Sequence, residues 1–208
     1  MPTKNVVKQY SAFSYYHVYN RGVNKQLIFR DEADYAMFTG LFKRYLSKKI
    51  AISSTRHKYK SFSDELKLLS YALMPNHIHL FIYQAEDPHS IAKFMQSIMT
   101  SYSIYFNKKY QRRGPLFGSK YLGSLITSED YYIHISRYIH LNPKNWRQNK
   151  HTSIDFYSGN RKCNWLDTQT IFSLFESPKE YMKFLEDYQD QKNIIDELKW
   201  ELASPVDQ

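Results

Sequence analysis

The run Leu66-Lys67-Leu68-Leu69-Ser70-Tyr71-Ala72-Leu73-Met74-Pro75-Asn76-His77-Ile78-His79-Leu80-Phe81-Ile82-Tyr83-Gln84 decides how this chain folds. Two apolar stretches meet at Pro75-Asn76, a pair suited to a tight turn, so residues 66–74 and 77–84 are expected to form an antiparallel strand pair. Side chains alternate faces along a strand, which puts His77 and His79 on the same face. Two imidazoles side by side make half of a metal site. The same pair also reads as polar residues on a solvated sheet face until the chain supplies a third ligand and a reactive group.

Working outward, Tyr15-Tyr16-His17-Val18-Tyr19-Asn20 is aromatic and β-prone, and Arg21-Gly22-Val23-Asn24 ends it with turn residues. Asp31-Glu32-Ala33-Asp34 opens a helix with acids where the helix dipole favours them, and Tyr35, Phe38, Leu41, Phe42 and Tyr45 recur at helical spacing. Residues 53–64 are polar and basic without periodicity and read as a surface loop. After the strand pair, Pro88-His89-Ser90 starts a second helix with the apolar face Ile91, Phe94, Met95, Ile98, Tyr102, Tyr105 and Phe106. A basic loop containing Arg112 and Arg113 follows, then residues 116–126 as a further strand interrupted by Gly118 and Gly123.

The next helix begins at Thr127, where Thr127 and Asp130 stand at capping-box spacing, and Pro143 stops it. At about 100° per residue, Tyr132, Ile135 and Ile139 form its core-facing stripe. His134, Tyr138 and Asn142 lie one turn apart beside that stripe, partly shielded yet reachable by a large substrate. Beyond Trp146 the chain turns polar, then helical on an acidic background, so 1–148 reads as one domain and 149–208 as a helical C-terminal extension.

The formal net charge is +9, unevenly spread. From Glu176 onward nine acidic and four basic residues give −5, leaving +14 on the first 175 residues. A basic, aromatic-rich body suits a polyanion with stackable bases, meaning nucleic acid. A single cysteine, Cys163, excludes an internal disulfide and fits a reducing cytoplasm. No apolar run is long enough to span a bilayer, and Met1-Pro2-Thr3-Lys4 begins no signal peptide. The expectation is a soluble cytoplasmic protein with no membrane partner.

Three motifs in order, Tyr19-Asn20-Arg21-Gly22, Met74-Pro75-Asn76-His77-Ile78-His79-Leu80 and Arg137-Tyr138-Ile139-His140-Leu141-Asn142-Pro143, resemble the single-tyrosine transposases of the HUH nuclease superfamily. The resemblance is strongest to the REP-associated tyrosine transposases and covers residues 14–146. Leu116-Phe117-Gly118-Ser119-Lys120-Tyr121 is similar to another family segment, with Ser119-Lys120 replacing a Gly-Arg pair. Trp165-Leu166-Asp167 stands where the family has Trp-Ser-Ser.

The resemblance implies an α+β, ferredoxin-like (RRM-like) core, with a central antiparallel sheet and helices on one face. It implies Tyr138 as nucleophile, and His77, His79 and Asn142 as ligands of Mg²⁺ or Mn²⁺. The reaction implied is attack of the tyrosine on a phosphodiester of single-stranded or hairpin DNA, giving a 5′-phosphotyrosine link and a free 3′-hydroxyl, with no nucleotide cofactor. A divalent ion suits that chemistry as Lewis acid and template, because a free phenol with a pKa near ~10 must lose its proton during attack.

Arg21, Lys120, Arg112 and Arg113 are candidate DNA contacts, equally readable as surface ion-pair formers. Asn142 reads also as the C-cap of a helix stopped by Pro143. His134 reads as a hydrogen-bonded structural histidine, and no role is read for His17, His57, His89, His140 or His151. Relatives include dimers that share active sites as well as monomers, and the sequence leaves both open. Two other classes also stand: a domesticated binder of DNA or RNA hairpins that no longer cuts, and a metal phosphodiesterase that uses water and leaves Tyr138 idle.

Overall fold

Two β-α-β units share one antiparallel sheet. The computed structural model describes residues 10–187, apart from 57 and 128 and the side chains of 129 and 130. The capping reading at Thr127 rests on the side chain of Asp130 and, like the acidic stretch from Tyr188 onward, lies outside the described residues. In chain order the main elements are β1 (Ser14–Arg21), α1 (Glu32–Leu46), β2 (Leu66–Met74), β3 (His77–Gln84), α2 (Ser90–Lys109), β4 (Leu122–Ile126) and α3 (Glu129–Leu141). Three short helices follow: α4 (Ile154–Tyr157), α5 (Gln169–Phe172) and α6 (Pro178–Glu186). The strand order β2-β3-β1-β4 is the split β-α-β arrangement of a ferredoxin-like fold.

Antiparallel pairing sets Tyr19 opposite His79 and Arg21 opposite His77, so the first motif borders the second. One sheet face carries Tyr16, Val18, Ile78, Leu80 and Ile82 into a large apolar cluster with α1 and α2. β2 keeps Leu66 and Leu68 on this face, and a bulge between Leu68 and Ser70 shifts the parity so that Tyr71 and Leu73 also reach it. α1 is capped by Asp31, whose side chain accepts from the Asp34 N–H. The α1 start is tied to the end of α2 by Lys109, whose Nζ lies 2.7 Å from Asp31 Oδ1 and 2.8 Å from the fully buried Asp34.

Helices on one face describe α1 and α2 but not the whole molecule. α3 packs across β2, β3 and β4 on the opposite face, and α4, α5 and α6 pack with it. Ile135 and Ile139 join Phe81, Ile126, Ile154, Tyr157, Ile171, Tyr181 and Leu185 in a second cluster. The histidine-bearing face is thus covered by protein, because an apolar sheet face with Phe81 at its centre must be buried.

The strand expected over 116–126 is shorter than predicted. Leu116 and Gly118 continue past the end of β1, with Val23 N–H donating to the Leu116 carbonyl (3.0 Å) and Gly118 N–H to the Arg21 carbonyl (2.9 Å). The chain then leaves the sheet over residues 119–121 and β4 resumes only at Leu122, opposite Tyr19.

The extension is woven into the core. Leu73 N–H donates to the His151 carbonyl (2.9 Å) and Ser153 N–H to the Tyr71 carbonyl (3.0 Å), which pairs the outer edge of β2. Asp167 N–H (2.8 Å) and the Tyr157 hydroxyl (2.7 Å) serve the carbonyls of Leu68 and Leu69 in turn. A line drawn at residue 148 therefore runs through a shared core.

A buried polar chain ties these layers together. Tyr71 N–H donates to Ser153 Oγ (2.9 Å), and Ser153 Oγ lies 2.6 Å from His140 Nε2. His140 Nδ1 lies 2.6 Å from the Tyr181 hydroxyl, which donates to Ser136 Oγ (3.2 Å). Each hydroxyl has one proton to give, so the chain closes with a neutral His140 that accepts at Nε2 and donates at Nδ1. Burial accordingly pushes His140 down to about 3. The unfolded chain binds a proton below the ordinary value of 6.5 that the folded chain refuses, so stability is full above pH 6.5 and falls as pH drops toward 3. At about 1.4 kcal/mol per pH unit, His140 alone predicts a loss of roughly 2 kcal/mol between pH 7.5 and 5, measurable by urea unfolding. Equal stability at both pH values would show that His140 takes up a proton in the fold.

Candidate active site

The turn at Pro75-Asn76 is the anchor of the site. Its carbonyls receive Gly22 N–H (2.8 Å, on Asn76), Ile28 N–H (2.8 Å, on Pro75) and Phe29 N–H (3.1 Å, on Pro75). The segment after β1 is thereby folded back over the hairpin. Gly22 is required there, since a Cβ would stand 2.3 Å from the Gln26 carbonyl oxygen. Asn24 and Lys25 follow with φ of 51° and 58°, left-handed conformations that non-glycine residues adopt at a cost.

These elements wall a cleft of about 640 Å³ lined by Arg21, His77, His79, Tyr138 and Asn142, together with Tyr19, Lys25 and Ser119. The two histidines come from β3, the tyrosine and asparagine from α3. Five of the residues singled out from the sequence thus meet in one place. Lys120 is exposed beside Ser119, and Arg113 is exposed on the preceding loop. Arg112 is half-buried and engaged, donating to Asn107 Oδ1 and Gln26 Oε1, both at 2.9 Å. His134 packs against Phe184 of α6, with ring centroids 5.8 Å apart, and does not line the cleft.

The polar atoms have defined roles. Asn76 Nδ2 donates to the Lys25 carbonyl (3.3 Å), which turns its Oδ1 to His77 Nδ1 at 2.6 Å. An amide oxygen only accepts, so the His77 proton sits on Nδ1 and, in the neutral ring, Nε2 carries a lone pair. That lone pair faces Asn142 Oδ1 at 3.3 Å. Two acceptors aimed at each other fit a cation between them, and ligand atoms on neighbouring corners of an octahedron stand roughly 3 Å apart. His79 Nδ1 lies 2.9 Å from His17 Nε2, so Nε2 is the ring nitrogen of His79 that is not engaged by His17. Burial, aided by the charges of the neighbouring histidines and Arg21, pushes His79 well below its ordinary range and keeps it neutral, as ligation requires. The donor set therefore fits a divalent ion of the Mg²⁺ or Mn²⁺ type. Among the described residues no three His, Cys, Asp or Glu side chains group in a way that could hold a metal ion.

Tyr138 presents its ring perpendicular to two imidazoles, at 5.6 Å from His79 and 5.8 Å from His17. Tyr19 stacks on His17 at 5.1 Å and 17° and lines the cleft beside it. Sequence reasoning gave no role to His17 or His140, and none to Tyr19 beyond its motif. For His17 a signal was present: it shares strand parity with Tyr15 and Tyr19, on the face that the pairing of β1 with β3 turns toward His79. Behind the site Arg137 is buried with its guanidinium 3.4 Å above the Phe184 ring, a further tie between α3 and α6.

Residues 15–142 match the family model described as transposase IS200 like, and the chain belongs to that family. Its function is accordingly of the transposase type. The chain is also similar to a solved structure described as a REP-associated tyrosine transposase bound to a REP hairpin. The TM-score is 0.51 at 13% identity, covering 78% of this chain and 91% of that one, a likeness of fold. Among curated proteins none matches this chain significantly. Among the described residues no helix is long and apolar enough to cross a membrane.

Proposed function

We propose that this chain is a metal-dependent single-stranded DNA endonuclease and strand transferase acting beside a DNA hairpin. The observation that supports it best is the meeting of Tyr138 with the facing pair His77 Nε2 and Asn142 Oδ1 in one cleft. His77, His79 and Asn142 would hold Mg²⁺ or Mn²⁺, which when bound neutralises phosphate charge as a Lewis acid. Tyr138 Oη forms a bond to phosphorus and the bond from phosphorus to the 3′-oxygen breaks. The phenol proton is lost and the 3′-oxygen gains one. One phosphodiester is exchanged for another, so the step needs no ATP and runs backward to rejoin a strand. Arg21 and Lys25 on the cleft wall position the scissile phosphate, and Tyr19 offers a π-face to an unpaired base. Hairpin DNA is favoured as partner by the +14 body and by the hairpin bound to the structural neighbour.

The test is a denaturing gel with end-labelled hairpin oligonucleotides and Mn²⁺. The expected outcome is that 3′-labelled strands migrate with the protein, 5′-labelled strands are released short, and EDTA abolishes both. Cleavage without an adduct would favour the water-using phosphodiesterase. Binding without cleavage across a broad oligonucleotide pool would favour the domesticated binder.

A further inference from the structure

His17 lies on β1, 62 residues before its partner, and is 1% exposed. Its ring is parallel to that of His79 within 4°, with centroids 5.1 Å apart and Nε2 2.9 Å from His79 Nδ1. Its other nitrogen, Nδ1, is buried and has no hydrogen-bond partner among the described residues. Two neutral rings joined by one hydrogen bond have two proton arrangements. If His17 Nε2–H donates, His79 keeps its proton on Nε2 and cannot ligate. If His79 Nδ1–H donates, its Nε2 lone pair is available to the cleft and His17 carries its proton on Nδ1.

We propose that His17 is a positioning residue whose Nε2 accepts from His79 Nδ1–H and so sets the tautomer and ring plane in which His79 binds a divalent cation. The inference rests on the metal-dependent reading above. It parallels Asn76, which holds His77 by the same nitrogen, so each ligand histidine has its own orienting acceptor. The His79 acceptor is itself an imidazole, closed off from solvent.

The test measures Mn²⁺ dissociation constants by electron paramagnetic resonance on the full chain carrying His17→Phe or His17→Gln. Phenylalanine keeps the ring without the acceptor and is expected to weaken Mn²⁺ binding on the order of 10–100-fold. Glutamine, whose Oε1 can stand near the Nε2 position, is expected to stay within about threefold of the unsubstituted chain, since it restores the acceptor. Excess Mn²⁺ should restore adduct formation by His17→Phe. Equal Mn²⁺ affinity for His17→Phe and the unsubstituted chain would overturn the role of His17 and leave the metal reading standing. An unsubstituted chain that forms the adduct and binds no Mn²⁺ would overturn both. If His17→Phe does not fold, ¹⁵N spectra of the imidazoles in the unsubstituted protein with Mg²⁺ decide: Nδ1–H on both rings supports the proposal, and Nε2–H on His17 refutes it.

Discussion

Tyr138→Phe is expected to reduce adduct formation to the detection limit, a loss on the order of 10⁶-fold, as when other covalent nucleophiles are removed. The substitution deletes one oxygen and leaves the ring edge-on to His79 and His17. Mn²⁺ affinity, hairpin affinity and melting temperature should stay close to those of the unsubstituted chain, because no ligand and no buried apolar contact is lost. That combination separates a missing nucleophile from a damaged site. An adduct that persists would move the nucleophile to another hydroxyl, first of all Tyr19, the other tyrosine on the cleft wall. Cleavage that persists without an adduct would assign the attack to water.

Ending the chain after residue 148 is expected to abolish cooperative folding. The deletion removes Ile154, Tyr157, Ile171, Tyr181 and Leu185 from the cluster that buries Ile135 and Ile139 of α3. At about 1.5–3 kcal/mol per buried side chain, the loss matches or exceeds the roughly 5–15 kcal/mol by which domains are stable. His140 would lose Ser153 and Tyr181, its two hydrogen-bond partners, and the outer edge of β2 would lose its pairing. The readout is thermal unfolding followed by circular dichroism, with gel filtration for aggregation. A truncated chain that melts cooperatively near the full-length temperature would show that 149–208 is an appendage.

Much of the site is legible in residue order because its parts lie at short range. Period-two alternation puts His77 and His79 on one face without tertiary information, and helical period puts Tyr138 one turn before Asn142. The α1 and α2 faces are legible for the same reason, as amphipathic stripes. The strand over 116–126 was misjudged because Gly118, Ser119 and Lys120 look tolerable in a strand. In the structure Leu116 and Gly118 stay paired with Val23 and Arg21, and the chain leaves the sheet only over residues 119–121 before β4 resumes at Leu122. The burial of Ser136, Arg137 and His140 was also invisible, since their back of α3 looks solvated until α4–α6 cover it.

The sequence by itself determined the family and the sheet-and-helix plan, and it singled out His77, His79, Tyr138 and Asn142, which the fold brings to one cleft. Only the tertiary structure decided that the histidine face is enclosed, that 151–185 packs into the core, and that His17 lies within hydrogen-bond distance of His79. The physical reason is range. Periodicity reports which way a side chain points, whereas desolvation and hydrogen-bond partnership depend on what is brought up against it from 62 residues away in the case of His17 and His79, and from 41 in the case of His140 and Tyr181.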